Sequence, residues 1–414
     1  MSTARPAEHG DDSDIHDGAA GPPGIASAAA IRIAREVRLG GRTRVGRRAD
    51  WLILVSWSAI VAVARMSSTT PVSWRYFDEA AALVFGARTL HGVHVGLRLY
   101  SVRPGDQFGP LPIVVAQALR ILGGSHTVML AHIVFLVVGL GVLWLVIDAA
   151  QHSPARGVLV SRSGVLVAGA LFLYEWDHLA LDSLHIDDAI ALACAALAID
   201  AIVRKWDWWW AAIAIGAATA SKPWAIMFLP ILCAVPLGRR LRAWAVASVV
   251  GLGVWAPFVV AEPKTLIAAR YTIVNARSSV IRLFGVRNPR TPKWDRLTQL
   301  VTTIGAGGLA VVRGRWEGVV LVSVAIRLIL DPGVNAYYTV GLVFGALVWD
   351  LLRPRWRWPI TTLLTALLLE LPIVVSIAPA TAAALRLLAC VAAITTVFAT
   401  APRELTAVPT AVSS

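Results

Sequence analysis

Apolar runs broken by short polar turns repeat along the chain from Trp51 to Thr400, at 51–65, 127–148, 159–175, 188–203, 207–221, 223–237, 241–260, 297–312, 317–330, 335–352, 358–377 and 382–400. Most approach the length needed to cross a hydrocarbon core of about 30 Å. A segment in lipid must satisfy its own backbone, which a helix does. The pattern predicts an all-α, polytopic integral membrane protein with about twelve transmembrane helices. Gly109 to Leu122 is apolar but short, and counting it as a span would reverse the sidedness of every later turn. It is predicted to be re-entrant or interfacial. After the first run, the stretch from Ala80 to Tyr100 reads as an amphipathic helix lying along the interface.

The positions of the basic residues orient these spans. Arg156 and Arg162, Arg204 and Lys205, Arg239 to Arg242, Arg313 and Arg315, Arg353 to Arg357, and Arg403 fall in alternate connections. The positive-inside rule places them all in the cytoplasm. Residues 1–50 then form a disordered cytoplasmic tail, 51–402 the transmembrane domain and 403–414 a cytoplasmic C-terminal tail, in a multi-pass plasma-membrane protein. Keeping this parity requires a tight hairpin at Ser221-Lys222-Pro223, where proline breaks the helix. The first apolar run lies too far from Met1 for an ordinary signal peptide and reads as a retained anchor.

Composition narrows the classes further. The chain of 414 residues is 57% hydrophobic and only 15% charged, against about 25% charged in soluble domains. The net charge of +13 is spread over turns and loops, so membrane phosphates, rather than nucleic acid, are the expected partners. Cys194, Cys233 and Cys390 lie inside apolar runs without metal-ligand spacing, so neither a disulfide framework nor a zinc site is expected. No cofactor and no metal are anticipated.

The segments left on the outer face carry the candidate chemistry. Tyr76-Phe77-Asp78-Glu79 opens the expected interfacial helix, where Asp78 would serve as an N-terminal cap, as a general base, or as both. Glu79 reads as a first-turn charge or a substrate contact. His185-Ile186-Asp187-Asp188 begins an apolar helix. Its carboxylates read as caps or as substrate ligands, and His185 with Asp187 is too sparse a pair to indicate a metal. Lys222 reads as a snorkelling anchor or as a phosphate contact. Arg270 and Arg277, in the basic loop from Glu262 to Arg296, suit an anionic lipid headgroup. Asp331-Pro332-Gly333-Val334-Asn335 has turn composition and is followed by Tyr337 and Tyr338, which suit an interfacial belt.

Four of these segments together, YFDEAAALVFGARTLHG, HIDDAIALA, AAIAIGAATASKPWAIMFLPIL and DPGVNAYYTV, resemble polytopic glycosyltransferases of the GT-C superfamily, and most closely glycosyltransferase family 87 of actinobacteria, which includes α-mannosyltransferases. The resemblance implies a GT-C-like transmembrane domain with interfacial helices in the first outer loop. It implies transfer of a sugar, mannose before arabinose, from a polyprenyl-phosphate donor to a lipid-linked or glycan acceptor of the cell envelope. It also implies that Asp78 is the catalytic base, and that Glu79, His185, Asp187, Asp188, Lys222, Arg270, Arg277, Asp331 and Tyr337 bind substrate. The Glu262 to Arg296 loop departs from the family pattern in lacking histidine. The rival class is a transporter or lipid flippase, for which Glu370 is the main interior candidate.

Overall fold

A computed structural model describes residues 44–66, 71–153, 160–270 and 272–399, without the side chains of 44–47, 66 and 267–270. The tail expected at 403–414 and most of that at 1–50 lie outside the described residues. The first helix, α1 (Arg44–Met66), begins inside the segment read as tail. The chain divides into a unit ending at Ile53 and a unit from Leu54 onward, and the second holds the helical bundle.

Helices dominate that unit. Among the described residues there is no β-strand, only two isolated bridges, Leu90 with Val93 and Val274 with Arg290. In order come α2 (Trp74–Val84), α3 (Pro110–Gly123), α4 (Thr127–His152), α5 (Arg162–Asp177), α6 (Ile186–Val203), α7 (Trp208–Ser221), α8 (Arg240–Gly253), α9 (Ala256–Ala261), α10 (Asp295–Val312), α11 (Val319–Leu330), α12 (Tyr337–Leu352), α13 (Ile360–Val374) and α14 (Pro379–Ala399). A 3₁₀ helix, Pro223–Ala234, follows α7 and contains Pro230, which cannot donate to a helical ladder. The stretches Pro110–His152, Arg162–Asp182 and Pro379–Ala399 are long and apolar enough to cross a membrane, and Pro223–Ala234, α12 and α13 are shorter apolar helices.

The bundle turns outward the apolar side chains that a soluble fold would hide. Val63, Ile121, Leu241, Val249, Val260 and Val312 are all exposed. The interior is built on close approach of small residues. Gly216 on α7 lies against Ala247 and Val250 of α8, and Gly345 on α12 against the Leu321 backbone of α11, with no room for a Cβ at either glycine. Such contacts are how helices associate where apolar burial gives no net drive. Helix α12 is the centre, packing against α5, α11 and α13, and is buried from Thr339 through Leu352.

Two sets of turns gather at opposite ends of these helices. At one end Arg204 pairs with Asp148 at 2.9 Å, Ser161 N–H donates to the Arg357 carbonyl, Arg353 to that of Gly314 and Arg315 to that of Phe398. These are the basic turns. At the other end the Ser73 N–H meets the Ser183 carbonyl, Gly109 meets Ser221, and Ala276 meets Pro332.

The first long loop departs from the expected interfacial helix. Helix α2 starts at Trp74, several residues before Asp78, and stops at Val84. Gly86, Gly92 and Gly96 then take positive φ, as does His91, and only short helical turns follow at Gly96–Arg98 and Leu99–Val102. Glycine tolerates that backbone at little cost, so the apolar letters of this stretch do not continue a helix. The segment read as re-entrant or interfacial forms the regular helix α3. A 3₁₀ turn, Gly124–His126, joins it to α4.

Candidate functional site

A cavity of about 430 Å³ opens at the end opposite the basic turns. Its wall is built by the start of α2, the turn before α3, His185 at the start of α6, Lys222 just past the end of α7, and the segments near 273–276 and 333–338. Gly109 fixes how these meet. Its N–H donates to the Ser221 carbonyl at 2.7 Å, and a methyl group there would collide with the Ala220 carbonyl.

The polar side of the wall is organised by Asp187. This carboxylate is fully buried in the first turn of α6 and is held between the His185 ring and the Lys222 ammonium, both of which line the cavity. Its Oδ1 also accepts the Asp188 N–H at 2.9 Å. Asp188 lies beside it, accepting from Trp224 Nε1 at 2.9 Å, with Lys222 Nζ 3.8 Å and His185 Nδ1 3.6 Å from its other oxygen. Asp187 therefore orients His185 and anchors Lys222. Its role goes beyond the helix cap that sequence allowed, and Lys222 is not the free cation of a phosphate clamp, because two carboxylates offset it. His185, Asp187 and Asp188 bring ligand atoms within 4.8 Å of one another, but the Lys222 ammonium already supplies this group with a cation.

Aromatic rings form much of the remaining surface. Tyr337 packs on His185 with centroids 4.1 Å apart, Tyr338 lies edge-on to Tyr337, and Phe77 faces Phe108 at 4.6 Å. All five line the cavity, as does Asn335. Behind them Arg327 is sandwiched between the Trp224 and Tyr338 rings and pairs with Asp331 at 3.4 Å. Asp331 is buried there and caps Gly333 N–H at 2.9 Å. It shapes the turn that presents Gly333 to Asn335, and does not line the cavity itself.

The carboxylate that does reach the cavity is Asp106, in the turn Arg103-Pro104-Gly105-Asp106. It is 4% exposed, and burial pushes its pKa up to about 6. Arg103, whose Nε lies 3.3 Å away, works in the opposite direction and does not overcome the desolvation. A carboxyl poised near neutrality in a concave, aromatic-lined site is suited to accepting a proton.

Asp78 is elsewhere. One residue on from Phe77, it points away from the cavity wall and pairs with Arg120 of α3 at 3.3 Å and with Arg88 at 4.0 Å. It sits in the second turn of α2 and so cannot cap that helix. Glu79 pairs with Arg103 at 2.6 Å, which also holds the Asp106 turn, so Glu79 positions rather than lines the site. Arg277 is exposed, next to the cavity-lining Ala276. The Arg270 side chain lies outside the described residues. Sequence reasoning missed Asp106, Asn335, Tyr338 and the Phe77–Phe108 pair. The Pro-Gly-Asp sequence was the available signal for Asp106.

No protein family, curated protein or solved structure matches the chain.

Proposed function

We propose that the chain is a membrane glycosyltransferase of about twelve spans that takes a sugar from a polyprenyl-phosphate donor and transfers it to a cell-envelope acceptor at the cavity. The observation that carries this reading is the wall itself, where a carboxyl with a pKa near 6, Asp106, shares one concavity with His185, Lys222 and a set of aromatic rings. Aromatic faces and fixed polar donors suit a sugar ring, whose hydroxyls need partners and whose C–H face is apolar. An acceptor hydroxyl is a poor nucleophile, and Asp106 acts as the base that takes its proton as the bond to the anomeric carbon forms. The lipid phosphate leaves carrying its own charge and needs cations rather than an acid. The exposed Arg277 at the rim meets that need, while Lys222 contributes one N–H with its charge already offset. Direct displacement inverts the anomeric centre, and mannose is the sugar favoured by the family resemblance. Both termini and the basic turns face the cytoplasm, and the cavity opens on the outer side.

The test is transfer by purified protein from a panel of labelled polyprenyl-phosphate sugars to envelope lipids. Labelled product from one donor, with inversion, supports the reading. If no donor is consumed while liposomes holding the protein move lipid or solute across the bilayer, the chain is a transporter.

On this reading the base is Asp106 and not Asp78, with a direct consequence. Asp78→Asn is expected to leave turnover within about two-fold and to cost no more than about 1 kcal/mol, the usual worth of a partly exposed ion pair. Turnover and melting temperature at matched protein amounts check this. A hundredfold loss of turnover with unchanged stability returns the base to Asp78.

A further inference from the structure

A second polar cluster, away from the cavity, lies where α5 ends. The chain passes there into one π-helical turn, His178–Asp182, a rare geometry that recurs at functional positions. Glu175, Asp177, His178, Asp182 and, from α13, Glu370 converge around it. Glu175 and Asp177 are each 1% exposed, and His178 is 6% exposed.

The charges do not balance within this group. Arg65 is its resident cation. The guanidinium pairs with Asp182, lies 2.7 Å from His178 Nδ1 and 3.4 Å from Nε2, and stacks 4.5 Å above the Tyr174 ring. It pairs directly with Asp182, and the His178 ring contacts both Asp182 and Glu370. Among the described residues, Glu175 Oε1, both oxygens of Asp177 and Glu370 Oε2 are buried with no hydrogen-bond partner. Unpartnered buried carboxylate oxygens are costly, and a native fold retains them by protonation, an ordered water or a bound ion.

We propose that Glu175, His178 and Glu370 form a divalent-cation site. One ligand atom from each lies within 4.8 Å of the others. His178 Nε2 stands 3.3 Å from Glu370 Oε1, and two ligands about 2.1 Å from one ion at roughly right angles lie about 3 Å apart. The supporting contacts are those that orient metal ligands. Asp182 Oδ2 sits 2.7 Å from His178 Nδ1, as in a carboxylate–histidine–metal arrangement, so that Nε2 faces the ion once it displaces the Arg65 nitrogen now 3.4 Å away. Thr339 Oγ1 donates to Glu175 Oε2 at 2.6 Å and leaves Oε1 free, and Tyr174 Oη donates to Glu370 Oε1 at 2.9 Å. The Asp177 carboxylate adds charge close by. One imidazole with two carboxylates is a donor set for Mn²⁺ or Zn²⁺ rather than for a thiolate-seeking ion. Glu370 and Asp182 are the most open members, with side chains 16% and 26% exposed, and mark the side from which an ion enters.

Mn²⁺ is the probe. The full chain, purified in detergent and stripped with chelator, is expected to bind one Mn²⁺ at micromolar to sub-millimolar concentration, read as loss of the free-ion EPR signal. Pulsed EPR of the bound ion is expected to show coupling to a histidine nitrogen, a measurement on the unaltered protein that does not depend on any variant folding. Glu370→Gln is expected to weaken binding at least ten-fold, and Asp188→Asn, in the cavity cluster, to leave it unchanged. No bound Mn²⁺ up to about millimolar, no nitrogen coupling, or loss of binding in Asp188→Asn with retention in Glu370→Gln each overturns the proposal. None of these results bears on sugar transfer at the cavity.

Discussion

Lys222→Ala is expected to cost about 3–5 kcal/mol of folding stability, the usual result of removing one partner of a buried ion pair. The sequence alone presents Lys222 as an anchor or a phosphate contact, and either role predicts an alanine variant that folds normally. The packing predicts otherwise. Lys222 is 9% exposed, its ammonium bonds Asp187, and Asp188 is 3.8 Å away. Alanine leaves two carboxylates buried, with only His185, the Trp224 N–H and the Asp188 backbone N–H to meet them. The melting temperature in detergent is expected to fall on the order of 10 °C. Lys222→Ala combined with Asp187→Asn is expected to recover much of the loss, because the most deeply buried unpaired charge is then gone. Arginine rescues poorly, since its planar fork replaces a compact ammonium in a closed space. An alanine variant with unchanged melting temperature and weakened donor binding would restore the phosphate-clamp role.

The helices were legible because apolar runs write themselves along the chain. A helix lies in every run read from the sequence, down to the break at Ser221-Lys222-Pro223. What was not legible depends on contacts far apart in sequence or on helix starts without a local mark. Helix α2 begins at Trp74 behind Ser73, whose side chain makes no capping bond, so nothing local distinguishes that start from one at Asp78. A shift of one turn moved Asp78 from the helix end to the face packed on Arg120. His185, Asp187, Lys222 and Tyr337 stood out as chemistry-bearing residues in polar segments, and all four meet around the cavity wall. The sequence did not reveal that Asp187 would hold both His185 and Lys222, because that depends on α6 and α7 lying side by side. Asp106 reads locally as a turn residue after Pro-Gly. Its burial comes from the surrounding fold. The pairing of His178 with Glu370 spans 192 residues and has no sequence signal at all.

Asp106→Asn is expected to lower transfer by roughly 10² to 10⁴-fold at saturating donor, the usual contribution of a positioned base. The raised pKa makes the same variant a test of cause. With its folded pKa at about 6, above the ordinary aspartate value, the protonated form is the one the fold favours. The stability this gives is complete below the ordinary pKa and is lost as pH climbs through about 6. Asparagine is neutral at every pH and escapes that loss. At pH 8 the variant is therefore expected to be at least as stable as the parent while transferring far more slowly, a combination that a merely structural carboxylate cannot produce. In the parent, turnover is expected to rise with pH through about 6 and then level off, as Asp106 gives up its proton and becomes able to accept the acceptor's. In Asp106→Asn that limb disappears and the residual rate is flat across the same range. A variant that keeps near-normal turnover and the same pH limb removes Asp106 as the base. His185, with its ring held by Asp187 and packed on Tyr337 in the same wall, would then be the group to substitute next.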